Sequence, residues 1–163
     1  MELDLEELKK SRIPKIRMQP DLTWCSSILY GGDNLLVADG YGVDRTSYMS
    51  SLAVAALALG SQVVYFMEAA ALDAYAKTFE RENEEWLVML GTEWLFLDGL
   101  DGNNSRRNLH SGIFNLLEAR AIGGKKTVVG SCLPKDELFD LYGEGVSVII
   151  QQYYRKVELK CDQ

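Results

Sequence analysis

Short continuous apolar runs recur along this chain, separated by longer stretches in which apolar residues follow a helical period. The continuous runs are residues 34–38 (NLLVA), 62–67 (QVVYFM), Trp94–Asp98 (WLFLD) and 126–130 (KTVVG). Such runs predict strands covered on both faces of a sheet. Between them, residues 46–59 are rich in small residues and predict a helix that packs close to the sheet, with Gly60 where a C′ glycine ends it. Residues 69–81 predict a second helix, and 86–90 the end of another. Ser105 is the expected N-cap of a helix over 106–121, with Leu109, Ile113, Leu116 and Leu117 on one face. A short helix is expected over Lys135–Tyr142, after Pro134, and final strands over 146–150 and 156–159.

At the start of the chain, residues 2–10 predict a short helix with Leu3, Leu5 and Leu8 on its apolar stripe. Pro14 and Pro20 bracket an irregular connection, because each biases its predecessor away from helix. Residues 22–30 predict a short helix under the sheet, and Gly31-Gly32 breaks the chain. Strands alternate with helices, so the expected fold class is α/β: three layers, a mostly parallel sheet with right-handed crossovers, and no lid domain. The expected organisation is an N-terminal helix and connecting segment over 1–30, then one globular unit over 31–163, without internal repeats.

Composition narrows the function. With 163 residues the chain has room for one domain and a proper core. Its formal net charge of −7 counts against a stand-alone nucleic-acid binder, which should be basic. A local basic patch is available at Lys9, Lys10, Arg12, Lys15 and Arg17. Cys25, Cys132 and Cys161 are widely spaced, offer no zinc geometry and read as reduced thiols. The acidic N-terminus is unlike a secretory signal, and no apolar run approaches the ~20 residues of a membrane helix. The expected location is cytoplasmic.

The strand, loop and helix over 34–59 have the order of a P-loop, G-x-x-x-x-G-K-[ST]. Asp39 takes the first glycine, Asp44 the second and Arg45 the lysine; Gly42 lies inside the loop, and Thr46 alone fits the pattern. A working loop curls backbone N–H groups around phosphates and neutralises them with lysine. Here two carboxylates approach the place reserved for an anion. Unit charges ~4 Å apart interact by about 4 kcal/mol at an effective dielectric of ~20, enough for one carboxylate to offset Arg45. The loop reads either as a site that still holds nucleotide or as a turn kept from a nucleotide-binding fold, and the residues favour the turn.

Asp98 ends its strand where a Walker B aspartate would hold Mg²⁺ through water, but the second acid expected next to it is Gly99. Its plainer role is to hydrogen-bond Thr46. Ser131 follows the fourth strand where a polar residue can sense the γ-phosphate; a loop serine beside a buried Cys132 is the plainer account. His110 has no evident acid–base partner and reads as a helix-surface residue. The acidic run 80–85 reads as a solvated face. Tyr153 and Tyr154, with Arg155, suit either stacking on a base or partner surface, or strand packing.

Together these segments resemble the ATPase domain of DnaC/IstB-type helicase loaders in the AAA+ superfamily of P-loop NTPases. Ser11-Arg12-Ile13-Pro14-Lys15 resembles the "GIP-(K/R)" entry, and residues 32–37 the "G-x-N-L-L" strand. Residues 61–66 resemble the "G-x-x-V-x-(F/Y)" strand, and Leu95-Phe96-Leu97-Asp98 the Walker B strand. Thr127-Val128-Val129-Gly130-Ser131 resembles the sensor strand "T-I-x-T-S-N", and residues 155–160 the closing "R-x-(I/V)-x-L-x-G". The departures fall on catalytic positions: both Walker A glycines, the lysine, the second acid at Gly99, the sensor asparagine at Cys132, and an arginine replaced within Ser147-Val148-Ile149.

The resemblance implies a non-catalytic pseudo-ATPase of DNA replication, recombination or mobile-element function. It would act by contacts with a replicative helicase, a related active ATPase or itself, with no cofactor and no membrane. The degenerate nucleotide site would comprise Gly42, Arg45, Thr46, Asp98 and Ser131. One alternative is a weak ATPase that binds ATP and Mg²⁺ with Arg45 in the lysine's place. Another is a single-stranded-DNA-binding accessory protein, which the net charge disfavours.

Overall fold

The computed structural model describes residues 13, 21–39, 45–60, 64–68, 84–100, 107–131 and 135–159. In chain order the elements are α1 (Leu22–Leu29), β1 (Asn34–Asp39), α2 (Arg45–Ala58), β2 (Val64–Glu68), α3 (Glu84–Gly91), β3 (Trp94–Asp98), α4 (Arg107–Ile122), β4 (Lys126–Ser131), α5 (Lys135–Tyr142), α6 (Glu144–Tyr153) and β5 (Tyr154–Leu159). The five strands form one sheet in the order β2-β3-β4-β1-β5, and every neighbouring pair is parallel. The chain therefore steps one way from β1 to β2 and the other way from β2 through to β5. Right-handed crossovers put the helices of opposite steps on opposite faces.

The core follows that division. Leu35, Val37, Phe66, Phe96 and Val128 pack against α1 and α2 on one face. Leu36, Tyr65, Leu95, Leu97 and Val129 face α3, α4, α5 and α6 on the other. Strand residues alternate between the two clusters while all five residues of β3 are buried, which is why the sequence shows continuous apolar runs rather than alternation. Asn34 is a buried polar residue at the start of β1: its Oδ1 accepts a hydrogen bond from the Thr127 backbone N–H at 3.0 Å and ties β1 to β4.

Residues 146–150 do not form a strand. They lie in α6, where Val146, Ile149 and Ile150 are buried at helical spacing and Val148 is 41% exposed. The run fits either period, and its packing decides. Gly145 faces the Phe114 ring so closely that an added Cβ would stand 2.8 Å from Cε2, so α6 beds against α4. The last strand begins at Tyr154, which separates the two tyrosines: Tyr153 ends a helix, half-exposed, and Tyr154 turns its hydroxyl into the interior. Glu85 is not merely solvated either, since it accepts a hydrogen bond from the Tyr65 hydroxyl. The expected helices over 2–10 and 69–81, and Ser105, lie outside the described residues.

Asp21 caps α1, its carboxylate accepting from the Thr23 and Trp24 N–H groups at 3.0 and 3.1 Å. Cys25 and Leu29 of α1 are fully buried against α2. Burial, helped by Asp21, pushes the Cys25 thiol up to about 11. Burial likewise pushes Tyr48 up to about 12, with Cys25 adding to the effect and Arg155 opposing it. Unfolded, these groups ionise near 9.0 and 10.0, so above about pH 9 the unfolded chain holds fewer protons than the folded one. Stability is therefore full below pH 9 and falls as pH rises toward 11. Urea midpoints at pH 8, 9.5 and 11 should decline, and decline less in Cys25→Ala. Among the described residues no helix is long and apolar enough to cross a membrane.

Candidate functional site

All five strands run parallel, so their C-terminal ends share one edge of the sheet. Asp39, Asp98 and Ser131 stand there, at the ends of β1, β3 and β4. Crevices for ligands open at this edge in parallel α/β sheets, where consecutive connections diverge to opposite faces. The loop after β1 leads into α2, whose first two residues are Arg45 and Thr46. Sequence neighbours at a helix start thus meet a carboxylate more than fifty positions away.

The contact is close. Arg45 Nε donates to Asp98 Oδ1 at 2.6 Å, and Thr46 Oγ1 donates to Asp98 Oδ2 at 2.5 Å. The side chains of Arg45 and Asp98 are only 14% and 5% exposed, so this charge pair is largely withdrawn from water. Asp98 is positioned by β3, which is buried throughout and paired on both sides, with β2 and β4. Thr46 is held in turn by α2, where Ser50 Oγ donates back to its carbonyl at 2.7 Å. Ser131 is fully buried and lies beside Ala38 in the register of β1 and β4. Gly42 and Asp44 lie outside the described residues, as does Cys132.

Gly130 leaves room for three neighbours at once: a Cβ there would run first into Met49 Sδ, then stand 2.9 Å from Asp98 Oδ1 and 3.0 Å from Arg45 Cδ. Gly99 adopts φ +79°, and a Cβ there would make only ordinary contact, 3.6 Å, with Arg45 Nη2. That backbone conformation costs an L-residue about 1 kcal/mol or more, so an acid at position 99 would be strained where this chain has none. The Leu100 N–H then donates to the Gly130 carbonyl at 2.8 Å and fixes the turn after β3 against β4.

This donor set does not fit Mg²⁺ as it stands. The Arg45 guanidinium on Oδ1 already supplies the positive charge that a divalent cation would bring to Asp98, and Thr46 donates to Oδ2. Arg45 spends Nε, and with it much of its charge, on Asp98 rather than on an incoming phosphate. Among the described residues no cluster of histidine, cysteine and carboxylates has the makings of another metal site.

Sequence reasoning brought Arg45, Thr46 and Asp98 together and missed what surrounds them. It also missed Arg120. This residue of α4 is fully buried and donates to the carbonyls of Met89, Thr92 and Lys126 at 2.7, 2.8 and 2.6 Å, and to Thr127 Oγ1 at 2.9 Å. Its guanidinium closes the C-terminal end of α3, where the carbonyls carry partial negative charge. The signal was present: Arg120 follows Leu116 and Leu117 by four and three positions, on the buried stripe of its helix.

No protein-family model and no curated protein matches the chain in sequence. Solved structures do. A crystal structure of the DnaC helicase loader superposes with a TM-score of 0.71 at 15% identity, covering 85% of this chain and 87% of that one. DnaI superposes with a TM-score of 0.68 at 16% identity, covering 89% and 88%. AMPPCP-bound DnaA from Aquifex aeolicus gives 0.68 at 16%, covering 86% of this chain and 45% of that one. The chain thus spans less than half the length of this DnaA chain and most of those DnaC and DnaI chains. At such identities the likeness is one of fold: the parallel sheet and its flanking helices share the architecture of these structures.

Proposed function

We propose that this chain, built on the P-loop NTPase fold of the AAA+ replication proteins, is a pseudo-ATPase. It works through protein contacts in DNA replication, recombination or mobile-element function, without a nucleotide cycle. The observation that carries the reading is the Arg45–Asp98 pair: the residue in the lysine's place and the residue that would hold the metal satisfy each other. A lysine that serves a triphosphate keeps its charge available for it. The similarity of fold to DnaC and DnaI supports a partner of the same kind: a replicative helicase, a related ATPase or a second copy.

The test is an equilibrium titration of the full chain with a fluorescent ATP analogue and Mg²⁺. The expected result is no saturable binding up to about 1 mM, an affinity weaker than about −4 kcal/mol. Micromolar binding that Arg45→Ala and Thr46→Ala both abolish would instead establish an ATP-binding protein with arginine in the lysine's role.

A further inference from the structure

We infer that the Arg45 guanidinium takes the cation's place on Asp98 and excludes a divalent metal from it. The inference deepens the reading of this site as non-catalytic and rests on it for what the site no longer does. It adds how the fold keeps its closed form without a ligand.

Three observations carry it. First, the arginine is seated rather than loosely placed: Nε meets Asp98 at 2.6 Å with the pair nearly buried. Second, the other carboxylate oxygen is also engaged: Thr46 Oγ1 donates to Asp98 Oδ2 at 2.5 Å. Third, Asp98 is fixed at the end of β3, a strand buried along its whole length, so the carboxylate is held where the guanidinium meets it. A guanidinium is planar and always charged, which suits it to a nearly buried carboxylate.

The consequence is chemical. Asp98 and the Thr46 hydroxyl are hard oxygen donors of the kind divalent cations take. With Arg45 in place each oxygen of the carboxylate has a partner and the local charge is cancelled. With Arg45 removed, the same two side chains present a carboxylate and a hydroxyl at the edge of the crevice.

The experiment is a titration of the full-length chain with Mn²⁺ alone, followed by electron paramagnetic resonance of the free ion, with thermal melts of each variant in parallel. The wild type is expected to show no site that depends on Asp98. Arg45→Ala is expected to gain one, tighter by about tenfold or more than any wild-type binding, because a competing unit charge has gone. The gain should vanish in Arg45→Ala/Asp98→Asn. Arg45→Gln, which removes the charge and keeps a polar side chain, should show the same gain, and it keeps the test open if Arg45→Ala does not fold. Wild-type binding of Mn²⁺ that is lost in Asp98→Asn would overturn the inference. So would folded Arg45→Ala or Arg45→Gln protein with no gain in metal binding. Since no nucleotide is present, these outcomes are independent of the ATP titration above.

Discussion

Arg120→Met is expected to lower the stability of this protein by about 4 kcal/mol. Arg120 donates closely to the carbonyls of Met89, Thr92 and Lys126 and the Thr127 hydroxyl, and more distantly to the carbonyls of Leu90 and Glu93, and methionine fills its volume without serving any of them. Each buried acceptor left unmet costs about 1 kcal/mol or more, and the four close ones are released together. A domain of this size loses 2–4 °C per kcal/mol, so the melting temperature should fall by roughly 10 °C. Burial lowers the Arg120 pKa, to about 10, with the Tyr154 phenol beside it acting in the opposite direction; the guanidinium stays charged at neutral pH. Arg120→Lys should recover little, because one ammonium cannot reach acceptors spread over the end of α3 and the start of β4. Differential scanning calorimetry of the three proteins checks both statements.

The second large effect is at Asp98, and there the sign is informative. If Arg45 is seated on Asp98, Asp98→Ala leaves a nearly buried guanidinium without its carboxylate and should cost about 3 kcal/mol. Arg45→Ala strands the carboxylate in the same way. The double variant should lose less than the sum, with a coupling above about 1 kcal/mol from urea unfolding of all four proteins. A carboxylate held in reserve for a metal behaves differently. Removing it from ion-free protein should be neutral or stabilising, as it often is when residues that serve a ligand are removed.

Most of the architecture was legible because the sheet is buried on both faces. The runs at 34–38 and 94–98 appear as strands with bounds shifted by one residue or none. The misreading at 146–150 has a definite origin. Valine and isoleucine suit a strand locally, but a groove on α4 with Phe114 opposite Gly145 takes them as a helix, and no local pattern contains that groove. At the site, spacing was enough to align Arg45, Thr46 and Asp98 with the motif positions. It could not show that Arg45 turns toward Asp98, which lies 53 residues away in sequence and close only across the fold. Gly130, inside an apolar strand, was a visible hint of close packing there, since a strand glycine often marks the approach of another group, and a Cβ on it would meet Met49, Asp98 and Arg45. Arg120 was legible in principle as a charge on an apolar helical stripe, but its acceptors are backbone carbonyls, which no sequence displays.

We propose that the site of Arg45, Thr46 and Asp98 is closed by its own side chains and takes no nucleotide. Ligand-linked stability measures it on the unmodified chain. A site with a dissociation constant one hundredth of the ATP–Mg²⁺ concentration would add about 2.7 kcal/mol, several degrees of melting temperature. At millimolar ATP–Mg²⁺ the account predicts a melting temperature indistinguishable from that in buffer. A rise of several degrees that disappears in Thr46→Ala would contradict it.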